Sequence, residues 1–419
     1  DPIDGADAGF DPIDHTAVDP RLGSWQDVAE LGADYSIMAD LIVNHVSSDS
    51  PQFRDVRQIG PASPYWDLFL RKADVFPNES PDSLVAEEIG RIYRPRPGAP
   101  FTAIQLDDGS SADFWTTFSA KQLDINVENS AGQAYLDSIL KKFSAAGVQE
   151  IRLDAAGYAI KRRGTSCFML PETFDFISEL SERAGELGMQ TLVEIHSHYQ
   201  TQVAIASSVG RVYDFALPPL VLHSLYTDDF DALKRWLAVA PRNCVTVLDT
   251  HDGIGIHDVA RQGNLEGLLA DDEVDSLVNT IHEKTGGESA SASGDAASNL
   301  DIYQVNSTYY DALGRNDLEY LIARAIQFFA PGTPQVYYVG LLAGGNDMSL
   351  VERTGVGRDI NRHYYTSDEI RADLQRPVVQ RLIELIRLRN GLSVFGGSFS
   401  IEDSTHDQLA LRWDHADSW

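Results

Sequence analysis

The 419-residue sequence holds only two cysteines, Cys167 and Cys244, and neither lies in a CxxC or Cys/His cluster. That argues against a disulfide framework or a structural zinc site and points to a reducing, cytoplasmic compartment. Basic residues are scarce: 33 Lys and Arg face 63 Asp and Glu, for a net charge of −30. Such a surface repels polyanions, so no nucleic acid and no anionic membrane is expected as a partner. No run reaches the ~18 uninterrupted apolar residues of a membrane helix, and no secretory leader is recognisable in the opening residues. Neither a Gly-rich nucleotide cradle nor metal-ligand spacing stands out, so no cofactor and no metal are expected. Length and composition agree with a large enzyme, with a homodimer left open, and the acidic surface by itself names no substrate.

The chain is 43% hydrophobic and 9% aromatic, ample for a large core and more than one domain. Short apolar runs near 36–43, 147–153, 189–194, 211–215, 243–248 and 333–339 alternate with helical stretches, the pattern of parallel strands in a (β/α) barrel. Ser130 is placed to cap a helix burying Tyr135, Leu136, Ile139, Leu140 and Phe143, with Gly147 as its stop. Pro171 opens another, carrying Phe174, Ile177, Leu180, Ala184 and Leu187 and ended by Gly188. The Ser/Ala/Gly-rich tract 286–298 reads as a flexible linker.

Three acids close strand-like runs: Asp154 after Ile151-Arg152-Leu153, Glu194 after Thr191-Leu192-Val193, and Asp252 after Val247-Leu248-Asp249-Thr250-His251. In a barrel the C-terminal strand ends open onto one face, so the three are expected to converge there. An acid at a strand end also serves as a helix N-cap or a solvated loop residue. The neighbours favour chemistry. Arg152 shares a strand face with Asp154, where a cation favours the ionised form a nucleophile needs. A lone histidine is usually structural, but His251, just before Asp252, and His45, which closes a further run, suit hydrogen bonds to sugar hydroxyls. Glycosidic bond chemistry needs one carboxylate nucleophile and one carboxylic acid to protonate the leaving oxygen.

Asp40-Leu41-Ile42-Val43-Asn44-His45, Arg152-Leu153-Asp154, Glu194-Ile195-His196 and Val247-Leu248-Asp249-Thr250-His251-Asp252 resemble, in order, the four blocks of the α-amylase superfamily. The runs 4–16, 92–98, 164–169, 214–220, 299–306 and 357–365 resemble the sucrose phosphorylase family within it, over nearly the whole chain. The resemblance implies a retaining glucosyl-transferring phosphorylase: sucrose plus phosphate gives α-D-glucose 1-phosphate and D-fructose. Asp154 is then the nucleophile, Glu194 the general acid/base and Asp252 the transition-state stabiliser. Asp7 and Arg358 hold the glucose 4-hydroxyl end, His45 and His251 bind the glucosyl unit, and Phe10, Phe118 and Tyr158 wall it. His196, Asp301 and Gln304 lie toward the acceptor. Arg96 is the phosphate-binding arginine, with Tyr93, Ile302 and Tyr303 beside it. The Arg94-Pro95-Arg96-Pro97 loop offers two guanidinium forks for an oxyanion. Its bland alternative is an arginine pair answering acids such as Glu87 and Glu88. Relatives acting on sucrose 6'-phosphate, glucosylglycerol or glucosylglycerate remain open, as does a non-catalytic sugar-binding fragment. A basic residue in place of Tyr303 is expected where the substrate is a sugar phosphate.

The expected architecture is an α/β (β/α)8 TIM barrel with inserted loop domains and a C-terminal β-domain. It is parsed as barrel 1–45, inserted domain B 46–129, barrel 130–253, inserted domain B' 254–315, end of barrel 316–392, and start of the β-domain 393–419. Six strand candidates against eight suggest that two strands and a helix, with any targeting signal, are missing ahead of Asp1, and the strand-like segments 398–401 and 409–413 of a β-domain suggest a cut at the other end too.

Overall fold

The computed structural model describes residues 9–77, 82–94, 98–293 and 304–415. Asp7, Arg96, Asp301, Ile302 and Tyr303 fall outside them. The chain divides into two compact units, Asp1–Ile195 with Ser208–Arg211, and His196–Ser207 with Val212–Trp419. No helix among the described residues is long and apolar enough to cross a membrane.

In the first unit three strands run parallel: β1 (Met38–Ile42), β2 (Glu150–Asp154) and β3 (Gln190–Val193). The register sets Asp40 beside Arg152 and Ile42 beside Asp154. On β2 the side chains alternate, so Ile151 and Leu153, both fully buried, point away from the face that carries Arg152 and Asp154. The helix Ser130–Ala145 buries Leu136, Ile139, Leu140 and Phe143. Its cap is Asn129 rather than Ser130: the Asn129 side chain accepts from the Ala131 N–H at 3.0 Å, and Ser130 is the first helical residue. The helix Pro171–Glu186 starts on its proline, as expected, and buries Thr173, Phe176, Ile177, Leu180 and Ala184. Phe176 takes the core position expected of Phe174, because the buried stripe includes 173 and 176 as well as 177, 180 and 184. Each fully buried apolar side chain on such a stripe contributes about 1.5–3 kcal/mol.

Residues 46–129 contain the helix Pro51–Ile59 and the hairpin of Phe101–Gln105 with Ser111–Trp115. The strand His45–Ser47 pairs antiparallel with Gln122–Asp124, setting His45 opposite Asp124.

In the second unit β4 (Arg211–Asp214), whose Val212–Asp214 belong here, β5 (Cys244–Thr246) and β6 (Thr333–Pro334) are parallel. The strand expected over 333–339 is only two residues long. Gln335 still donates its N–H to the Thr246 carbonyl at 2.9 Å, but the chain then turns into the helix Tyr338–Leu341. Leu220, Leu233, Trp236, Tyr309 and Tyr320 are fully buried in the core of this unit. The 286–298 tract is not a linker throughout. Glu288–Ser293 form a helix, with Ser289 Oγ 2.7 Å from His282 Nδ1 and 2.8 Å from Thr285 Oγ1, so small side chains here serve close packing. Its remainder, 294–298, lies outside the described residues. Ser398–Ile401 and Leu411–Asp414 form an antiparallel hairpin with Phe399 opposite Trp413.

Candidate active site

At the end of β2 the guanidinium of Arg152 gathers three carboxylates. Nη1 donates to Asp40 Oδ1 at 2.5 Å and to Asp154 Oδ1 at 3.0 Å, and Nη2 lies 2.7 Å from Glu194 Oε1. The geometry follows from the ladder: Asp40 is the register partner of Arg152, and the Glu194 N–H donates to the Leu153 carbonyl at 3.2 Å. The Asp154 and Glu194 side chains are 12% and 11% exposed. Burial, and after it the charge of Glu194, raise Asp154 well above the usual carboxylate range, against the pull of Arg152. The expected pull of Arg152 toward the ionised form is present but is outweighed by burial and the second acid. The cation is shared, and two buried acids on one guanidinium favour holding a single proton between them.

Beyond Asp154, Ala155 takes a left-handed φ of +54° and turns the chain into the short helix Ala156–Tyr158. Phe118 lies 5.0 Å from both the His45 and the Tyr158 ring centroids. Phe168 packs 4.7 Å from Tyr158 and 4.5 Å from Tyr93, so Phe118, Tyr158, Phe168 and Tyr93 form one aromatic surface. Gly157 makes room for it: a Cβ there would meet Met169 Sδ at 2.7 Å and Phe168 Cε2 at 2.9 Å. The Phe10 ring lies 5.4 Å from the Arg152 guanidinium, and the Phe10 carbonyl is 2.9 Å from His45 Nε2. Beneath this surface Lys161, 2% exposed, reaches Asp124 at 2.9 Å and Asn44 at 3.0 Å, and also bonds the Tyr158 carbonyl. Asp124 accepts in addition from the Thr117 N–H at 3.0 Å and its hydroxyl at 2.5 Å.

Arg94, on the anion-loop candidate, has buried Nε and Nη1 donors with no hydrogen-bond partner among the described residues. Glu87 and Glu88 pair instead with Arg91 at 2.6 Å and Arg163 at 2.8 Å, so they do not answer Arg94.

In the second unit Asp252 accepts from Arg358 Nη1 at 2.8 Å, with Arg362 Nη2 3.7 Å from the same oxygen and His251 Nε2 3.8 Å from the other. Burial alone would raise its pKa. Arg358, His251, His196 and Arg362 more than offset that and hold it well below the usual range. The loop is tied down through its backbone: Asn361 donates to the carbonyls of Thr250 at 3.2 Å and Asp252 at 2.7 Å, and Arg362 to that of His251 at 2.8 Å. Gln304 Oε1 accepts from the Gly253 N–H at 3.2 Å. His196 stacks on Phe215 at 3.9 Å. Arg358, assigned from the sequence to the sugar's 4-hydroxyl end, thus also neutralises Asp252.

The sequence reading did not single out Asp40, Phe168, Lys161 or Arg362. Strand parity was the available signal for Asp40, which lies on a run ending in His45. Nothing in spacing marks Phe168 or Lys161, which reach their places through loops.

Acids held on a strand-end guanidinium beside an aromatic wall are the equipment of a glycoside-processing enzyme. Residues 4–216 match the α-amylase catalytic domain, and the chain belongs to that family, which is built on a (β/α)8 barrel. It is similar to sucrose phosphorylases. The chain is 56% identical over 413 residues to the sucrose phosphorylase of Agrobacterium vitis, covering 98% of this chain and 84% of that one. It is 53% identical over 415 residues to that of Bifidobacterium adolescentis, covering 98% and 81%. The crystal structure of sucrose 6F-phosphate phosphorylase from Thermoanaerobacter thermosaccharolyticum matches with a TM-score of 0.90 at 37% identity, covering 99% of this chain and 83% of that one.

Proposed function

We propose that this chain is a retaining phosphorylase that converts sucrose and phosphate to α-D-glucose 1-phosphate and D-fructose. The observation that carries the reading is Arg152 joining Asp154 to Glu194 in a buried setting, where two neighbouring acids on one cation disfavour both being ionised at once. Retaining glycosyl transfer needs that asymmetry, a carboxylate to attack and a carboxylic acid to protonate the departing oxygen.

Asp154 attacks the anomeric carbon of the glucosyl unit while Glu194 gives its proton to the fructosyl oxygen. The glucosyl group is then bonded to Asp154 and fructose leaves. Phosphate next attacks the same carbon, Glu194 takes back a proton from it, and two inversions yield the α-phosphate. Asp252, kept ionised by its cations, stabilises the positive charge that develops on the sugar ring in both steps. His45, Phe118, Tyr158 and Phe10 hold and wall the glucosyl unit, with Asp7, His251 and Arg358 at its hydroxyls. His196, Asp301 and Gln304 serve the acceptor side. Arg96, with Tyr93, Ile302 and Tyr303, receives phosphate, and Arg94, whose Nε and Nη1 have no acceptor among the described residues, adds positive potential to that loop.

The test is product analysis on sucrose with inorganic phosphate. Fructose and α-glucose 1-phosphate should appear in equal amounts, with little free glucose. Release of glucose without its phosphate makes the enzyme a hydrolase. Activity confined to sucrose 6'-phosphate moves it to the sugar-phosphate relatives.

A further inference from the structure

His196 follows Glu194 by two residues, and the reading above places it on the acceptor side without saying what aims its ring. One face stacks on Phe215, with centroids 3.9 Å apart and planes 19° apart. At its edge is Asp258, a fully buried acid that the proposed mechanism does not use. Asp258 Oδ1 is satisfied, accepting from Gln202 Nε2 at 2.7 Å and the Ser197 N–H at 3.2 Å. Asp258 Oδ2 is buried and has no hydrogen-bond partner among the described residues, and it lies 3.8 Å from His196 Nδ1.

A carboxylate oxygen in that position is costly unless a proton or a positive charge faces it. The backbone is shaped for the approach. A Cβ on Gly255 would stand 2.6 Å from Asp258 Oδ2 and 3.7 Å from His196 Nδ1, so only glycine leaves the carboxylate where it is.

We propose that Asp258 is a positioning residue for His196: it keeps the proton on Nδ1 and fixes the ring so that the Nε2 edge is presented to the acceptor. The link to the acceptor rests on the function proposed above; the link between the two side chains does not. Histidines are commonly set in this way, one ring nitrogen held by a carboxylate so that the other is committed to its task.

Two measurements on the whole chain test it. In ¹⁵N-histidine spectra, with His196 assigned by its loss in His196→Gln, the wild-type ring should be protonated at Nδ1, and Asp258→Asn should change its tautomer or nitrogen shifts. A His196 protonated only at Nε2, or identical spectra, would overturn the proposal. In the synthetic direction, from α-glucose 1-phosphate, Asp258→Asn should raise the KM for fructose roughly tenfold. On a His196→Gln background it should add almost nothing, because it acts through that ring. An equal rise in both backgrounds marks Asp258 as general support for the fold and also overturns the proposal. If His196→Gln leaves the fructose KM untouched, the acceptor-side reading of His196 fails, while the spectra still decide on Asp258. Should Asp258→Asn not fold, Gln202→Met frees Oδ1 of its donor and is read in the same two ways.

Discussion

Glu194 Oε1 lies 2.7 Å from Arg152 Nη2, on the other arm of the guanidinium that donates to Asp154. One cation therefore pairs with both acids. Replacing it with Met leaves two buried carboxyls facing each other without a positive charge, so Asp154 should rise further. The ionised nucleophile then forms only at higher pH. Arg152→Met should lower kcat on sucrose by roughly 100- to 1,000-fold and move the acid limb of the kcat/KM profile to higher pH. An unmoved acid limb would show that the limb belongs to another group.

The Lys161–Asp124 pair predicts a stability effect. The side chains are 2% and 1% exposed, and Lys161 spans Asp124, Asn44 and the Tyr158 carbonyl. Lys161→Met strands a buried carboxylate and should cost about 3–5 kcal/mol. The Lys161→Met/Asp124→Asn double variant should recover part of that in denaturant unfolding. Losses that simply add would mean the two charges are not coupled.

His15 gives a pH dependence. It is fully buried, its Nδ1 is 2.9 Å from the Tyr135 hydroxyl, and burial with the charge of His45 lowers its pKa from 6.5 to about 3. A histidine depressed by folding binds fewer protons in the native state. Its contribution is complete above the unfolded value and is lost as pH falls from about 6.5 toward 3. Wild type should lose on the order of a few kcal/mol more than His15→Gln across that window, measured as unfolding free energy against pH. Parallel curves would contradict this.

Much of the barrel core is visible in the sequence because β-branched runs of four to eight residues, each followed by an amphipathic stretch, leave few alternatives. The acids at the ends of β2 and β3 follow from that pattern. The parts that were missed depend on contacts between distant segments. Phe176 rather than Phe174 faces the core because the helix is rotated to suit its neighbours, and periodicity alone does not fix that angle. Asn129 and Ser130 are both good caps, and the geometry of the preceding turn decides between them. Tyr337 and Tyr338 look like strand residues yet follow a strand that ends at Pro334. The partition of Arg152 among Asp40, Asp154 and Glu194 is a matter of ladder register, which the sequence of β2 does not contain.

Gly157 tests the aromatic wall. Gly157→Ala should push against Phe168 and Met169, both able to yield at their side-chain ends, so stability should fall by no more than about 1–3 kcal/mol. The sucrose KM should rise several-fold as Tyr158 and Phe168 shift. A KM unchanged beside a measurable loss of stability would place that wall outside the sugar site.

The central claim is double displacement through Asp154, and trapping the intermediate tests it most directly. Glu194→Gln should still accept glucosyl from α-glucosyl fluoride, whose leaving group needs no proton, and should discharge it slowly. Rapid quenching and peptide mass spectrometry should then find one glucosyl unit on the peptide carrying Asp154, and none after Asp154→Ala. A glucosyl adduct on any other residue, or β-glucose 1-phosphate as the product of the unmodified enzyme, would contradict the account.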